Sequence, residues 1–197
     1  CEVVIPQRKG DPIRVTQDEF IKPNTSLEKL ATLSTVFKNK GTVTAGNSSG
    51  LNDGAAAMMI ASETALKKYN LQPKAKIVAS AVVGVEPKIM GIGPVQATKK
   101  VLEKTGLTLD QMDVLEFNEA FSAQALACIR ELGLADDDPR INPNGGAIAI
   151  GHPLGMSGTR IVQALVNELK RSNGKFGLAT MCVGVGMGYA IIIENIN

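Results

Sequence analysis

One histidine, three cysteines and an aromatic content of only 4% are the scarcities of this 197-residue chain. A net charge of +2 argues neither for nor against nucleic acid, but no block of like charges stands out and so few rings give no stacking platform for bases, so no nucleic-acid partner is expected. No apolar run reaches the roughly 18 residues of a membrane span, so no membrane partner is expected either. Cys1, Cys128 and Cys182 are odd in number, far apart and without CxxC spacing, which disfavours a disulfide framework or a zinc site. The opening stretch CEVVIPQRKGD lacks the basic, apolar and small-residue order of a signal peptide. These absences together suggest a reduced, cytoplasmic setting, with no metal and no redox cofactor.

What the chain does have is enough apolar residues for a core, 44% against 20% charged, and a length that suits one domain or slightly more. Its 20 glycines cluster at 41–54, 145–158 and 184–188, which points to close backbone approach. Residues 1–24 read as irregular or edge-like, with PQRKGDP as a polar turn. NTSLEKLATLSTVF reads as a helix capped by Thr25, with Glu28 completing a capping box and Leu27, Leu30, Ala31 and Leu33 forming its apolar face. GAAAMMIAS reads as a buried strand, and Ser62 caps a short helix that ends near Tyr69. After Pro73 the pattern is a strand in AKIVASAVVGV, a helix from Pro94 to Gly106, a strand in MDVLEF and a helix up to Gly133. A helix in SGTRIVQALVNELKR and strands in FGLATMCVG and GYAIIIEN complete it. Strands alternating with helices predict an α/β layered fold.

Three loops stand where strands end, the usual site of chemistry in such folds. Asn118-Glu119-Ala120-Phe121 joins a strand to a helix, His152 sits in a glycine-rich loop before another helix, and Cys182 ends a strand and enters CVGVGMG. An imidazole can serve as acid or base near neutral pH, and a thiol beside exposed backbone amides can share an oxyanion pocket and be activated by that imidazole. Each residue alone has a plainer reading: a satisfied core histidine, a small apolar cysteine, an asparagine cap. Cys128, inside a helix, reads as core.

Taken in order, NEAF, GGAIAIGHPLGMSGTR and CVGVGMG resemble the C-terminal signatures of the thiolases, and GTVTAGNSSGLNDGAAA and MGIGPV extend the likeness from about Gln17 to Glu194. The form SGLNDGAAA is more similar to the acetyl-CoA acetyltransferases (acetoacetyl-CoA thiolases) than to the degradative 3-ketoacyl-CoA thiolases. The resemblance implies a layered α-β-α-β-α fold, of which this chain supplies the C-terminal half, and an acyltransferase. Two acetyl-CoA would condense to acetoacetyl-CoA and CoA through an acyl-cysteine, or the reverse, with coenzyme A thioesters as substrates and no further cofactor. His152 would activate the nucleophile, Cys182 would move the α-proton, Asn118 would hold an oxyanion water, and the Gly184 amide would line a second oxyanion hole. Ser49, Ala45, Phe37, Phe121 and Lys22 match positions that contact coenzyme A.

Residues 1–49 would then be the end of a CoA-binding loop domain, 50–73 a strand and helix packing on an N-terminal domain, and 74–197 the catalytic domain. No candidate for the acyl-carrying cysteine is apparent. The expectation is therefore a chain inactive alone, partnered by an N-terminal half, with a homodimer or tetramer as the full enzyme. Val185 replaces a frequent glycine and narrows the loop beside Cys182, a change expected to be tolerated because Gly184 is retained; Met156 and Thr159 replace frequent alanines, and Met156, near His152, bears on acyl-chain preference. The rivals are a degradative 3-ketoacyl-CoA thiolase, a ketoacyl synthase or sterol-carrier-type relative, and a non-catalytic acyl-CoA-binding remnant. The single histidine and the second cysteine argue against the synthases.

Overall fold

The computed structural model describes residues 2–196; Cys1, to which the sequence assigns no role, and Asn197 lie outside the described residues. A four-stranded mixed sheet organises the chain from residue 75 onward. Its strands are β3 (Ala75–Gly84), β4 (Val114–Phe117), β5 (Phe176–Val183) and β6 (Met187–Asn195), in the order β3-β6-β5-β4. β4 runs parallel to β5, with Phe117 beside Thr180, and the other two pairs are antiparallel. Alternation along the strands separates two cores. Leu115, Leu178 and Ile192 face one side with Val95, Val101 and Cys128. Val114, Ala179, Ile191 and Ile193 face the other with Ile161, Leu165 and Leu169.

Helices cover both faces. α3 (Gly93–Thr105) and α4 (Ser122–Glu131) lie on the first face, and α6 (Ser157–Ser172) lies on the second. In α3, Pro94 sits in the first turn, where its missing N–H is harmless, and Gly106 closes the helix at φ +67°. α6 is apolar at Ile161, Leu165 and Leu169, a four-residue spacing that keeps one stripe on the sheet. The helix and strand expectations for residues 75–195 hold to within a few residues, and the layered α/β class is the observed one.

The first 73 residues depart further from expectation. β1 (Val3–Ile5) and β2 (Ile13–Val15) form a small antiparallel hairpin around the polar turn. α1 (Leu27–Ala31) is one short helix, and its cap is Ser26, whose hydroxyl accepts from Lys29 N; the Thr25 hydroxyl instead donates to Lys22 O. Its apolar face meets no core, since Leu27 is 81% exposed, so nothing prolongs it beyond a turn. The strand expected in GAAAMMIAS does not form. Residues 51–62 pair with no strand, and Met59 and Ile60 are exposed, because a buried strand needs neighbours and the sheet offers none here. α2 (Glu63–Tyr69) follows, capped by Ser62 as expected and ended by left-handed Asn70. No helix among the described residues is long and apolar enough to cross a membrane.

Candidate active site

The C-terminal ends of parallel β4 and β5 deliver the first two site residues. Asn118 directly follows β4, and its N–H bonds Thr180 O at 3.0 Å, two residues before Cys182 on β5. The end of β4 is braced by Asn142, held at φ +45°. Its Oδ1 accepts from Phe117 N at 2.8 Å, and its Nδ2 donates to Phe117 O at 2.9 Å and to Glu119 Oε1 at 3.0 Å. The side chain thus satisfies the backbone of the strand's last residue as a neighbouring strand would.

Glu119 ties this loop to the glycine loop. Its Oε2 accepts from Ile148 N at 3.2 Å, within the short helix α5 (Ala147–Ile150). Gly146 must be glycine for this approach, as a Cβ there would stand 2.2 Å from the Glu119 carboxyl carbon. Beyond α5 the chain turns at Gly151, φ +96°, where a Cβ would also strike Asn52 Oδ1. That Asn52 oxygen accepts from His152 N at 3.1 Å. The imidazole is buried. Its Nε2 lies 3.2 Å from Asn118 Nδ2, and its Nδ1 lies 2.6 Å from the fully buried Ser157 Oγ at the start of α6.

Both ring nitrogens are therefore engaged, and neither bonds the Cys182 thiol. Burial, aided by the Arg160 charge, holds His152 below its usual range, so the ring is neutral at neutral pH. Burial also pushes the Cys182 thiol up, against a smaller opposing backbone hydrogen bond, so it rests protonated. The expected imidazole-assisted thiolate is thus not the resting arrangement. Gly184, just past Cys182, has open space around it, whereas Val185 adopts φ +70°, a region that β-branched residues avoid. Cys128 is core as expected: its thiol donates to Gly91 O at 3.1 Å, and burial pushes it up to about 11.

The NEAF loop also gathers the ligand-contact candidates. Ser49 N and Oγ each lie 3.0 Å from Ala120 O, and Ser48 bridges Phe121. Phe37 and Phe121 meet edge to face with centroids 5.8 Å apart. Ala45 opens a short 3₁₀ turn capped by the buried Thr44, upstream of Ser49. Lys22 remains apart, exposed, with its Nζ on Glu19 O at 2.9 Å.

Sequence reasoning passed over Asn52, Glu119, Asn142, Ser157 and Arg160. Ser157, five residues after His152 at a helix entrance, carried the one local signal. Arg160 acts on His152 from eight positions away, whereas Asn52, Glu119 and Asn142 act across 23 to 100 positions of sequence. Beneath the loop, the carboxyl of Glu116 is fully buried without a hydrogen-bond partner, as are Arg160 Nε and Nη2. Burial drives Glu116 up from 4.5 to about 7 despite the opposing Arg160 charge.

Comparison with known proteins is decisive at this point. The thiolase C-terminal domain matches residues 71–195, and the thiolase N-terminal domain matches residues 2–64. The chain belongs to the thiolase family. It is 60% identical over 194 residues to a β-ketoadipyl-CoA thiolase of Acinetobacter baylyi, covering 98% of this chain and 48% of that relative. It is 52% identical over 192 residues to an acetyl-CoA acetyltransferase of Chromobacterium violaceum, covering 98% of this chain and 48% of the relative. The solved human mitochondrial 3-ketoacyl-CoA thiolase superposes with a TM-score of 0.92 at 49% identity, covering 99% of this chain and 49% of that one. The chain spans about half the length of the curated relatives it matches. Thiolase N-terminal-domain sequence lies within the chain itself, so the expected partition, with that half wholly on a partner, is revised.

Proposed function

We propose that this chain carries the proton-handling part of a thiolase site, in which coenzyme A cleaves a 3-oxoacyl-CoA. In reverse, two acetyl-CoA condense to acetoacetyl-CoA and CoA. The observation that carries the reading is the contact of Asn118 Nδ2 with a buried, neutral His152, on the loop that also binds Ser49 and packs its Phe121 against Phe37. A neutral imidazole can accept the proton of a nucleophilic thiol. That thiolate attacks the 3-oxo carbonyl, and the bond between C2 and C3 breaks to leave the enolate of acetyl-CoA. Cys182, resting as a thiol, donates its proton to the enolate carbon; in the condensing direction it would take that proton back. After cleavage, the coenzyme A thiol gives its proton to the Cys182 thiolate and takes the acyl group, and the released nucleophile recovers its proton from His152. Asn118 Oδ1, buried without a partner, suits a bridging water as oxyanion donor, and the open Gly184 amide suits the thioester oxygen. Coenzyme A would lie along Ala45, Ser49, Phe37 and Phe121, with Lys22 as an outlying charge for phosphate.

No described cysteine suits the acyl-carrying role, as Cys128 is sealed and up-shifted. The acyl acceptor is therefore supplied from outside residues 2–196, in a cytoplasmic dimer or tetramer, and the isolated chain does not turn over. The boundaries at 49 and 73, with a CoA-binding loop region before the catalytic domain, belong to the same proposal. For the acyl group, acetoacetyl-CoA follows from the sequence resemblance. A dicarboxylic 3-oxoacyl-CoA is the second reading, favoured by 60% identity to a β-ketoadipyl-CoA thiolase against 52% to an acetyltransferase. The test supplies the chain with a thiolase N-terminal half bearing the nucleophilic cysteine and compares CoA-dependent cleavage of acetoacetyl-CoA and 3-oxoadipyl-CoA. Preferential cleavage of either selects its reading. Binding of acetyl-CoA by a folded complex that cleaves neither leaves a binding module and refutes the enzyme.

A further inference from the structure

We infer that Ser157 is a positioning residue that holds His152 in the tautomer with its proton on Nδ1 and its lone pair on Nε2. The inference rests on the base role proposed for His152. A neutral imidazole has one N–H and one lone pair, so fixing either nitrogen fixes both.

One partner stands on each nitrogen, and together they favour one tautomer. The Ser157 hydroxyl has a single hydrogen, and its Oγ lies 3.0 Å from Pro153 O, which can only accept. Pro153 O also accepts from Met156 N and Ser157 N, each at 3.0 Å, in the first turn of the helix. With the hydroxyl hydrogen on that carbonyl, Oγ accepts from His152 Nδ1, 2.6 Å away, and Nδ1 carries the proton. This holds whichever way the Asn118 amide is turned. On the other side, Asn118 Nδ2 can only donate, and at 3.2 Å it requires a lone pair on Nε2. The polarity then runs one way from Asn118 through His152 and Ser157 to Pro153. Ser157 and Asn118 are both buried, a low-dielectric setting that strengthens these bonds.

The alternative is close at hand. Without the Ser157 hydroxyl, Nδ1–H becomes a buried donor with no partner. Moving the proton to Nε2 and turning the Asn118 amide lets Oδ1, unpartnered at present, accept it. That arrangement satisfies the donor but removes the lone pair that makes His152 a base at Nε2. The serine is thus what selects the base-ready ring.

The single histidine makes the test clean, because ring ¹⁵N labelling yields one pair of nitrogen resonances. The intact chain, above the His152 titration, is expected to show a pyrrole-type Nδ1 and a pyridine-type Nε2. Ser157→Ala is expected to move the pattern toward protonated Nε2. A protonated Nε2 in the unaltered chain, or an unchanged pattern in folded Ser157→Ala, would overturn the inference. If the alanine variant does not fold, the spectrum of the unaltered chain decides: pyrrole-type Nδ1 upholds the tautomer and protonated Nε2 rejects it. The readout reports ring protonation and not turnover. Failure of the thiolase reading would leave the Nδ1–H pattern in place while cleavage was absent.

Discussion

At the residue scale, the candidate site and its surroundings hold polar groups out of water without full compensation. Glu116 shows this most directly. Its carboxyl is buried without a partner, so the folded protein keeps its proton up to about pH 7, whereas the unfolded chain releases it near 4.5. A raised carboxyl stabilises the fold fully below 4.5, and that contribution is lost as pH rises to 7, on the order of 3 kcal/mol across the window. His152 acts in the opposite sense. Its lowered range means stability is present above 6.5 and lost as pH falls below it. Glu116→Gln is therefore expected to flatten the fall in urea midpoint between pH 4.5 and pH 7, with His152 unchanged in both proteins. An identical slope in the variant would show that Glu116 does not titrate in that window. The candidate residues that name the chemistry were legible from sequence. The residues that orient them were not, because Asn52, Asn142 and Glu119 act through contacts that no local pattern encodes.

At the element scale, legibility follows the source of each element's stability. α2 was readable because its cap lies within three residues of the group it satisfies. α3 and α6 combine terminal signals with an apolar stripe that finds a sheet beneath it. α1 has a comparable cap but fully buries none of its residues, so it stops after five. GAAAMMIAS has strand composition but no neighbouring strand, and composition cannot supply the missing hydrogen bonds. The contrast is measurable. Leu165→Ala, at the centre of the α6 stripe, is expected to lower unfolding free energy by roughly 2–5 kcal/mol. Leu27→Ala, on α1, is expected to fall within about 0.5 kcal/mol of the unaltered chain. Equal effects at the two positions, read from urea denaturation, would contradict this division.

At the scale of the whole molecule, residues 75–195 form a sheet with helices on both faces, while residues 2–43 contribute no buried residue. Exposed Val3, Ile5, Ile13 and Phe37 leave apolar surface on that first part, and exposed Met59 and Ile60 add to it further along. The site nevertheless draws on both parts. Asn52 and Ser49 reach the His152 and NEAF loops from the N-terminal-domain sequence, so the two family regions meet at the candidate site. The resemblance made that meeting expectable, whereas composition and periodicity alone ended at three separate loops. The most direct test of the central claim is CoA-dependent cleavage of a 3-oxoacyl-CoA by the chain complemented with the nucleophile-bearing half. It compares the unaltered chain with Cys182→Ala and His152→Ala. The thiolase account expects turnover in the first and a loss of about 100-fold or more in each variant. Turnover that persists undiminished in either folded variant would contradict it.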